Sequence, residues 1–376
     1  MKILHIITGL NNGGAEATLF RLTTNDANNE HIVISMMDLG TYGPRLIEKG
    51  VRVETLNLKR GSLNPIAFYK LYKLVKSVNA SVVQTWMYHA DLVGGLAAKL
   101  AGSPAIVWGI RNSTLSAEKT SLMSRLVVKI CAHLSKYIPH RIVSCSIDAV
   151  NVHEKLGYRS SKFYVIPNGF DLTKLSPNID SQIIKKQWSP HQDGILIGTV
   201  ARWDPQKDHK NFLHAFKMLK HTNLKCVFVG TDMDSNNKEL SALINNLDLQ
   251  DFVHLLGPQN DIPSVMNCLN LHVLPSAYGE AFPNVLAEAM ACEVPCIATS
   301  VGDAALIVGN TGWIVPPQDS ESLAAAINCA LEEMKDSTKW AEKKQACRDR
   351  IVGNFSIEKM IKSYNQIWHE VSNRSS

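Results

Sequence analysis

Short, β-branched apolar runs alternate with helix-length stretches along almost the whole of this chain, and that rhythm limits its fold more than any other feature. Ile3–Ile7, His31–Ser35, Val51–Leu56, Ser81–Gln84, Ala105–Gly109 and Arg141–Ser144 read as strands, each followed by a segment long enough for a crossover helix. Parallel strands need such crossovers, and strands covered by helices on both faces are apolar throughout, so the pattern specifies βαβ units in a doubly wound parallel sheet. The rhythm pauses at Tyr164-Val165-Ile166-Pro167-Asn168-Gly169-Phe170-Asp171, where Pro167 and Asn168-Gly169 end a strand, and a polar stretch follows to Asp193. It resumes with Gly194–Val200, Leu224–Val229, Val253–Leu256, Leu271–Leu274, Pro295–Ala298 and Gly312–Val315. Two similar α/β domains are therefore expected, residues 1–176 and 177–355, and 376 residues at 45% hydrophobic content suffice for two cores. Beyond them, in 356–376, Ile357, Met360, Ile361, Tyr364, Ile367 and Trp368 share one helical face, which has to pack on something.

Charge divides unevenly between the halves. Residues 1–176 hold 21 Lys and Arg against 11 Asp and Glu, net +10, while residues 177–376 hold 18 against 23, net −5. The first half thus suits an anionic partner such as a phosphorylated acceptor, a lipid surface or a nucleic acid, although scattered solubilising lysines give the same balance. The eight cysteines lie mostly in apolar runs and no pair has the C-x-x-C spacing of a zinc or redox site, which reads as buried thiols in a reducing compartment. Met1–Ile7 is too short an apolar run for a signal peptide, and nowhere do about 18 apolar residues run uninterrupted, so a cytoplasmic protein is expected.

The segment with the most chemistry is Pro275-Ser276-Ala277-Tyr278-Gly279-Glu280-Ala281-Phe282-Pro283-Asn284-Val285-Leu286-Ala287-Glu288-Ala289-Met290-Ala291-Cys292. It follows an apolar strand, so its loop falls at the carboxyl end of a sheet strand, where open α/β sheets bind ligands. Pro283 suits a first helical position, which leaves Glu280 in the loop, Glu288 about one and a half turns into the helix, and the unsatisfied amides of Phe282 to Val285 facing the same space. Two carboxylates around a helix N-terminus fit a polyhydroxylated, phosphate-bearing ligand, and a nucleotide-sugar is one. Helix capping by Glu280 and simple solvation of Glu288 fit the same residues.

This segment, continued by Val294-Pro295 and with its glutamates spaced E-x7-E, resembles the retaining glycosyltransferase family 4 of GT-B fold, and the resemblance extends over nearly the whole chain. It implies two Rossmann-like domains facing across a cleft, with the C-terminal helix returning to the first domain. It also implies donor binding in the second domain, with Glu280 on the sugar hydroxyls and Glu288 on the ribose hydroxyls. Ala281 and Glu293 stand where the family commonly has glycine. The loop Gly198-Thr199-Val200-Ala201-Arg202-Trp203-Asp204-Pro205-Gln206-Lys207-Asp208 presents a guanidinium and an ammonium. The resemblance gives Arg202 and Lys207 the leaving diphosphate, so no metal and no cofactor is expected. Gly9-Leu10-Asn11-Asn12-Gly13-Gly14-Ala15-Glu16 lacks the dinucleotide-binding spacing; in the family the Gly13-Gly14 turn lies beside donor phosphate and acceptor. His89 is a candidate cleft residue, and Arg111 and Asn112 stand near where many members carry another histidine. Asp232-Met233-Asp234 reads as solvated loop aspartates rather than a metal site.

Leu122, Leu126, Ile130, Leu134 and Ile138 recur every four residues beside Arg125, Lys129 and Lys136. That stripe fits a core-facing helix, and it fits equally a basic helix on a membrane surface. The activity expected is transfer of a hexose or N-acetylhexosamine from a nucleotide-sugar, a UDP-sugar above all, to a glycan acceptor. The acceptor suited to a basic first domain is lipid-diphosphate-linked, as in cell-surface polysaccharide or lipopolysaccharide assembly, with peripheral contact to an anionic membrane and no nucleic acid. Two rivals stand beside it, a nucleotide-sugar 2-epimerase of similar fold and a non-catalytic surface-binding protein.

Overall fold

The computed structural model describes residues 1–59, 64–113, 121–177, 194–219 and 223–373. It divides into two compact units, Met1–Gly169 with Ile357–Ser376, and Phe170–Ser356. Most of the polar stretch expected to link the domains, 178–193, lies outside the described residues. The change of unit comes at Gly169–Phe170, ahead of 176, because Phe170 already belongs to the second unit's packing. Its amide donates to the Phe355 carbonyl at 3.0 Å, and its ring stacks on Phe282 with centroids 6.4 Å apart.

Unit 1 is a seven-stranded, all-parallel sheet of β1 (Lys2–Ile7), β2 (Glu30–Ser35), β3 (Arg52–Thr55), β4 (Val82–Trp86), β5 (Ile106–Ile110), β6 (Arg141–Ser144) and β7 (Phe163–Val165) in the order 3-2-1-4-5-6-7. β1, β4 and β5 are buried at almost every position, which is why they show no polar–apolar alternation. Around them run α1 (Gly14–Asn25), α2 (Tyr42–Glu48), α3 (Pro65–Val78), α4 (Tyr88–Leu100), α5 (Leu122–Leu134) and α6 (Ile147–Lys155). Sequence and structure agree on the strands to within two residues at either end.

The C-terminal stripe packs on this sheet. Helix Ile357–Asn373, numbered α14 below, buries Ile357, Met360, Tyr364, Ile367, Trp368 and Val371. Beneath it lies a polar chain whose proton positions follow from a single fixed donor. Trp86 Nε1–H donates to His5 Nδ1 at 3.1 Å, so neutral His5 carries its proton on Nε2 and gives it to His31 Nδ1 at 2.9 Å; His31 Nε2–H then points to Asp26 at 3.3 Å. Burial holds the His5 pKa well below its ordinary value. Burial opposes ionisation of Asp26 as well, but hydrogen bonds from His31, Asn29 and the Asn28 amide outweigh it and hold the carboxyl at about 2.

Unit 2 repeats the plan with β8 (Ile195–Val200), β9 (Leu224–Val229), β10 (Val253–Leu255), β11 (Leu271–Leu274), β12 (Cys296–Thr299) and β13 (Trp313–Val315), all parallel, in the order 10-9-8-11-12-13. Its helices are α7 (His209–Met218), α8 (Lys238–Asn246), α9 (Ile262–Cys268), α10 (Asn284–Ala291), α11 (Ala304–Val308), α12 (Ser320–Met334) and α13 (Ser337–Asn354), ahead of α14 in the chain. Phe212, Phe216, Phe228, Leu271, Val273 and Ile327 centre its core. Of the eight cysteines only Cys329 is exposed. Among the described residues no helix is long and apolar enough to cross a membrane.

Candidate donor site at the switch point of unit 2

In a sheet of this order the strand sequence reverses direction at one place, between the first strand and the fourth, and the two flanking loops diverge to leave a crevice at their carboxyl ends. In unit 2 that place is β8 beside β11. Their ladder is short, Leu271 opposite Ile197 and His272 opposite Gly198. Past it the Val200 amide donates instead to His272 Nε2 at 3.4 Å, so the strands part without leaving that amide unpaired. His272 is fully buried, and burial, with Lys207 nearby, lowers its pKa to about 3, which keeps it a neutral acceptor.

The loop leaving β8 carries Arg202 and a 3₁₀ turn, Pro205–Lys207, capped by the Asp204 carboxylate on the Gln206 amide at 2.9 Å. Burial works against ionisation of Asp204, but that amide and the Arg202 guanidinium, 3.0 Å away, keep its pKa below the usual range. His209, 1% exposed, stacks on Trp203 and donates from Nε2 to the Arg202 carbonyl at 3.0 Å. Burial lowers the His209 pKa to about 4, so this latch is neutral.

The loop leaving β11 carries Glu280, only 6% exposed. Its Oε1 receives Lys207 Nζ in an ion pair and the Ser276 hydroxyl at 2.6 Å. Thr299 fixes Ser276 in turn, through a 2.6 Å bond to its carbonyl, and the Ala277 amide ties the two loops together by donating to the Gln206 carbonyl at 2.9 Å. Gly302, at φ +57°, lets a third loop close over this one, since a Cβ there would sit 2.0 Å from the Glu280 carbonyl oxygen. Lys207 and Glu280 are 73 positions apart, yet fold and hydrogen bonds bring their charges together.

Asn284 begins α10, and Glu288 lies half-buried within it, four residues on. Pro283 precedes the helix rather than opening it: its ψ of 93° is extended, and its carbonyl accepts from Leu286 at 3.1 Å. Pro283, in the N-cap position, has no side-chain acceptor to cap this end, which is the kind of helix terminus that binds anions. Ala281 and Phe282 lead into it, both buried, while Asn284 and Val285 are half-buried. At the far end, Glu293 occupies the left-handed position of a Schellman motif at φ +60°, with Val294 N–H on the Ala289 carbonyl and Glu293 N–H on Met290. A position commonly glycine in the resembled family is thus one at which glycine relieves strain.

Unit 1 places its own candidates at the equivalent reversal, β1 beside β4. Gly13 and Gly14 are exposed where α1 begins after β1, and the Glu16 carboxylate folds back so closely that a Cβ on Gly13 would lie 2.3 Å from Oε2. His89 is half-buried in the first turn of α4, after Met87 takes an unusual φ of +71°. Two residues further, Asp91 is fully buried and bonded by the Thr85 hydroxyl at 2.5 Å; burial raises its pKa to about 8, against the bonds from Thr85 and the Gly109 amide. Arg111 does not stand free to replace a histidine. Its guanidinium donates to Asn168 at 2.8 Å and to the Tyr364 hydroxyl, and it lies 4.5 Å over the Trp86 ring, which makes it a clamp on α14. Asp232 and Asp234 lie in a turn in which Asp234 accepts the Asn236 amide at 2.8 Å, and no metal-holding cluster occurs among the described residues.

Two family models cover the chain almost end to end, Glycosyltransferase Family 4 over residues 3–174 and Glycosyl transferases group 1 over residues 180–346. The chain belongs to glycosyltransferase family 4. This glycosyltransferase is 25% identical over 379 residues to the N,N'-diacetylbacillosaminyl-diphospho-undecaprenol alpha-1,3-N-acetylgalactosaminyltransferase of Campylobacter jejuni, covering 95% of this chain and 98% of that one. It is 27% identical over 313 residues, 79% of this chain and 77% of the other, to the Escherichia coli UDP-Gal:alpha-D-GlcNAc-diphosphoundecaprenol alpha-1,3-galactosyltransferase. Its fold matches that of Anabaena HepE in complex with UDP at TM-score 0.86 and 22% identity, over 98% of this chain and all of the other. The glycosyltransferase therefore has the two-domain GT-B fold.

Proposed function

We propose that this glycosyltransferase transfers a hexose or N-acetylhexosamine from a UDP-sugar, with retention, to a lipid-diphosphate-linked glycan in cell-surface polysaccharide assembly. The observation that carries the donor site is the buried Glu280 carboxylate, paired with Lys207 and fixed by Ser276 at the β8–β11 reversal, with the N-terminal end of α10 following it. Glu280 then receives the sugar hydroxyls and Glu288 those of the ribose. An ammonium has three protons, so Lys207 can keep Glu280 while giving another to the diphosphate. Arg202 and the amides from Ala281 to Val285 supply the remaining positive potential without a metal ion. Gly13 and Gly14 serve the donor phosphate and the acceptor, and His89 the reacting groups. A donor phosphate oxygen takes the acceptor proton, so that no side-chain base is needed.

Both relatives described above are named for acceptors linked through diphosphate to undecaprenol, and one of them for a UDP-sugar donor. Those names support the acceptor class and the nucleotide. The test is a thermal-shift comparison of UDP, GDP and ADP on wild type and Glu288→Ala, followed by turnover of a prenyl-diphosphate sugar and assignment of the anomeric linkage by NMR. A shift with UDP that the variant weakens, and a product with the donor's anomeric configuration, are expected. No shift with any nucleotide at millimolar concentration refutes the donor site, and an inverted linkage refutes retention.

A further inference from the structure

The outer surface of α3, α4 and α5 carries charge of one sign. Right-handed crossovers place these three helices on the sheet face opposite α1 and α2, and α4 packs between its two neighbours. They bear Lys70, Lys73, Lys76, Lys99, Arg125 and Lys129, and all but the half-buried Arg125 are exposed. Their only carboxylate, Asp91, is fully buried. The run ends at α6, which carries Asp148 and Glu154.

The same surface is apolar where a water-facing helix should be polar. Val127, Val128, Cys131 and Ala132 already give α5 its buried face. Leu122, Met123, Leu126 and Ile130 form a second stripe, 81%, 63%, 52% and 38% exposed, so the core-facing reading of the four-residue repeat fails for its first three members. On α3, Ile66 is 81% exposed and Tyr69 56%, with Tyr69 stacked on Tyr72 and Lys73 Nζ 4.8 Å above its ring.

A nucleic acid would use the lysines and leave the leucine stripe in water. An apolar protein groove would use the stripe and leave the cations without partners. An anionic bilayer uses both: aliphatic side chains enter the acyl boundary, tyrosines sit at headgroup depth, and lysines reach the phosphates. We propose that α3 and α5 together form the face by which unit 1 docks on a bilayer of anionic phospholipid. The inference rests on the lipid-linked acceptor reading for its purpose, which is to hold the enzyme in the plane where such an acceptor resides.

The experiment is co-sedimentation of the full chain with phosphatidylcholine vesicles, with and without phosphatidylglycerol, for wild type, Leu122→Ser/Leu126→Ser and Lys70→Glu/Lys73→Glu. Each variant is also assayed on a short-chain, water-soluble diphosphate acceptor. Wild type is expected to pellet with phosphatidylglycerol vesicles and to release in high salt. Lys70→Glu/Lys73→Glu is expected to bind at least about ten-fold more weakly, since a single basic residue near an anionic surface contributes about five-fold, and Leu122→Ser/Leu126→Ser likewise, since one leucine side chain taken out of water contributes about ten-fold. Activity on the soluble acceptor should stay unchanged in both. Equal binding to both vesicle types, or unaltered binding by both variants, overturns the proposal, as does a dimer in solution that the leucine variant dissolves while no vesicle pellets. Absence of turnover on the soluble acceptor by wild type would count against the acceptor reading instead, whatever the vesicles show.

Discussion

Replacing Lys207 by Met tests the donor site at its most buried charge. The substitution keeps an unbranched apolar stem and deletes the ammonium, so the loop can stay packed while the carboxylate of Glu280 loses the cation it is paired with. The two side chains are 13% and 8% exposed. Breaking a fully buried pair costs about 3–5 kcal/mol, and the residual exposure reduces the expectation to about 2–3 kcal/mol. For a unit of this size each kcal/mol lowers Tm by about 2–4 °C, so unit 2 should melt about 4–12 °C lower. Scanning calorimetry of wild type, Lys207→Met, Glu280→Gln and the double variant closes the cycle. Because Gln needs no counter-charge, the double variant should recover most of the loss, with a coupling of at least about 1 kcal/mol. The catalytic arm is separate: loss of a preorganised cation on the departing diphosphate should lower kcat by about 10²–10³, with or without Glu280→Gln. A Lys207→Met protein that melts with wild type, or a cycle in which the two losses simply add, would show that the pair does not hold the site, and the account of Glu280 would fall with it.

Glu293→Gly should stabilise unit 2 by about 1 kcal/mol, because the position is left-handed, and a rise of about 2–4 °C in its melting transition checks this. Acid should destabilise unit 2: burial holds His209 at about 4 and, with Lys207 nearby, His272 at about 3, below the ordinary 6.5 of a free histidine. The unfolded chain therefore takes up protons first, and stability, level above about pH 7, should fall by about 1.4 kcal/mol per histidine by about pH 5.5, as urea titrations at successive pH values would record. Arg111→Ala should cost unit 1 about 2–4 kcal/mol and speed hydrogen exchange in 357–373, because it removes the donor to Tyr364 and the cation over Trp86.

Much of this architecture could be read from the residues because parallel strands buried on both faces advertise themselves. β6, β9 and β11 begin and end where their apolar runs do. The E-x7-E pair was legible for a related reason, since a strand end, a loop and a helix in that order fix the carboxyl end of a sheet. What periodicity could not supply was direction. The helix α5 has two apolar stripes, and a four-residue repeat does not say which one a neighbour covers. Nor does spacing show that Lys207 reaches Glu280, that Ser276 and Thr299 stand behind it, or that Arg111 is occupied by Tyr364, since those meetings are made by folding. Nor does a proline distinguish the last extended residue from the first helical one, since its fixed φ suits both, and Pro283 stands one step ahead of its helix.

The seat of Trp368 against Gln84, at 3.3 Å, bears on the order in which the polypeptide is made. A ribosome completes every strand of the first sheet, then the whole of unit 2, before it releases the helix that covers Ile3, Ile7 and Trp86. For that interval the earlier domain carries an uncovered apolar groove, and it is the later one that can close first. A stop codon anywhere in 357–373 would therefore injure the half of the protein translated longest before it.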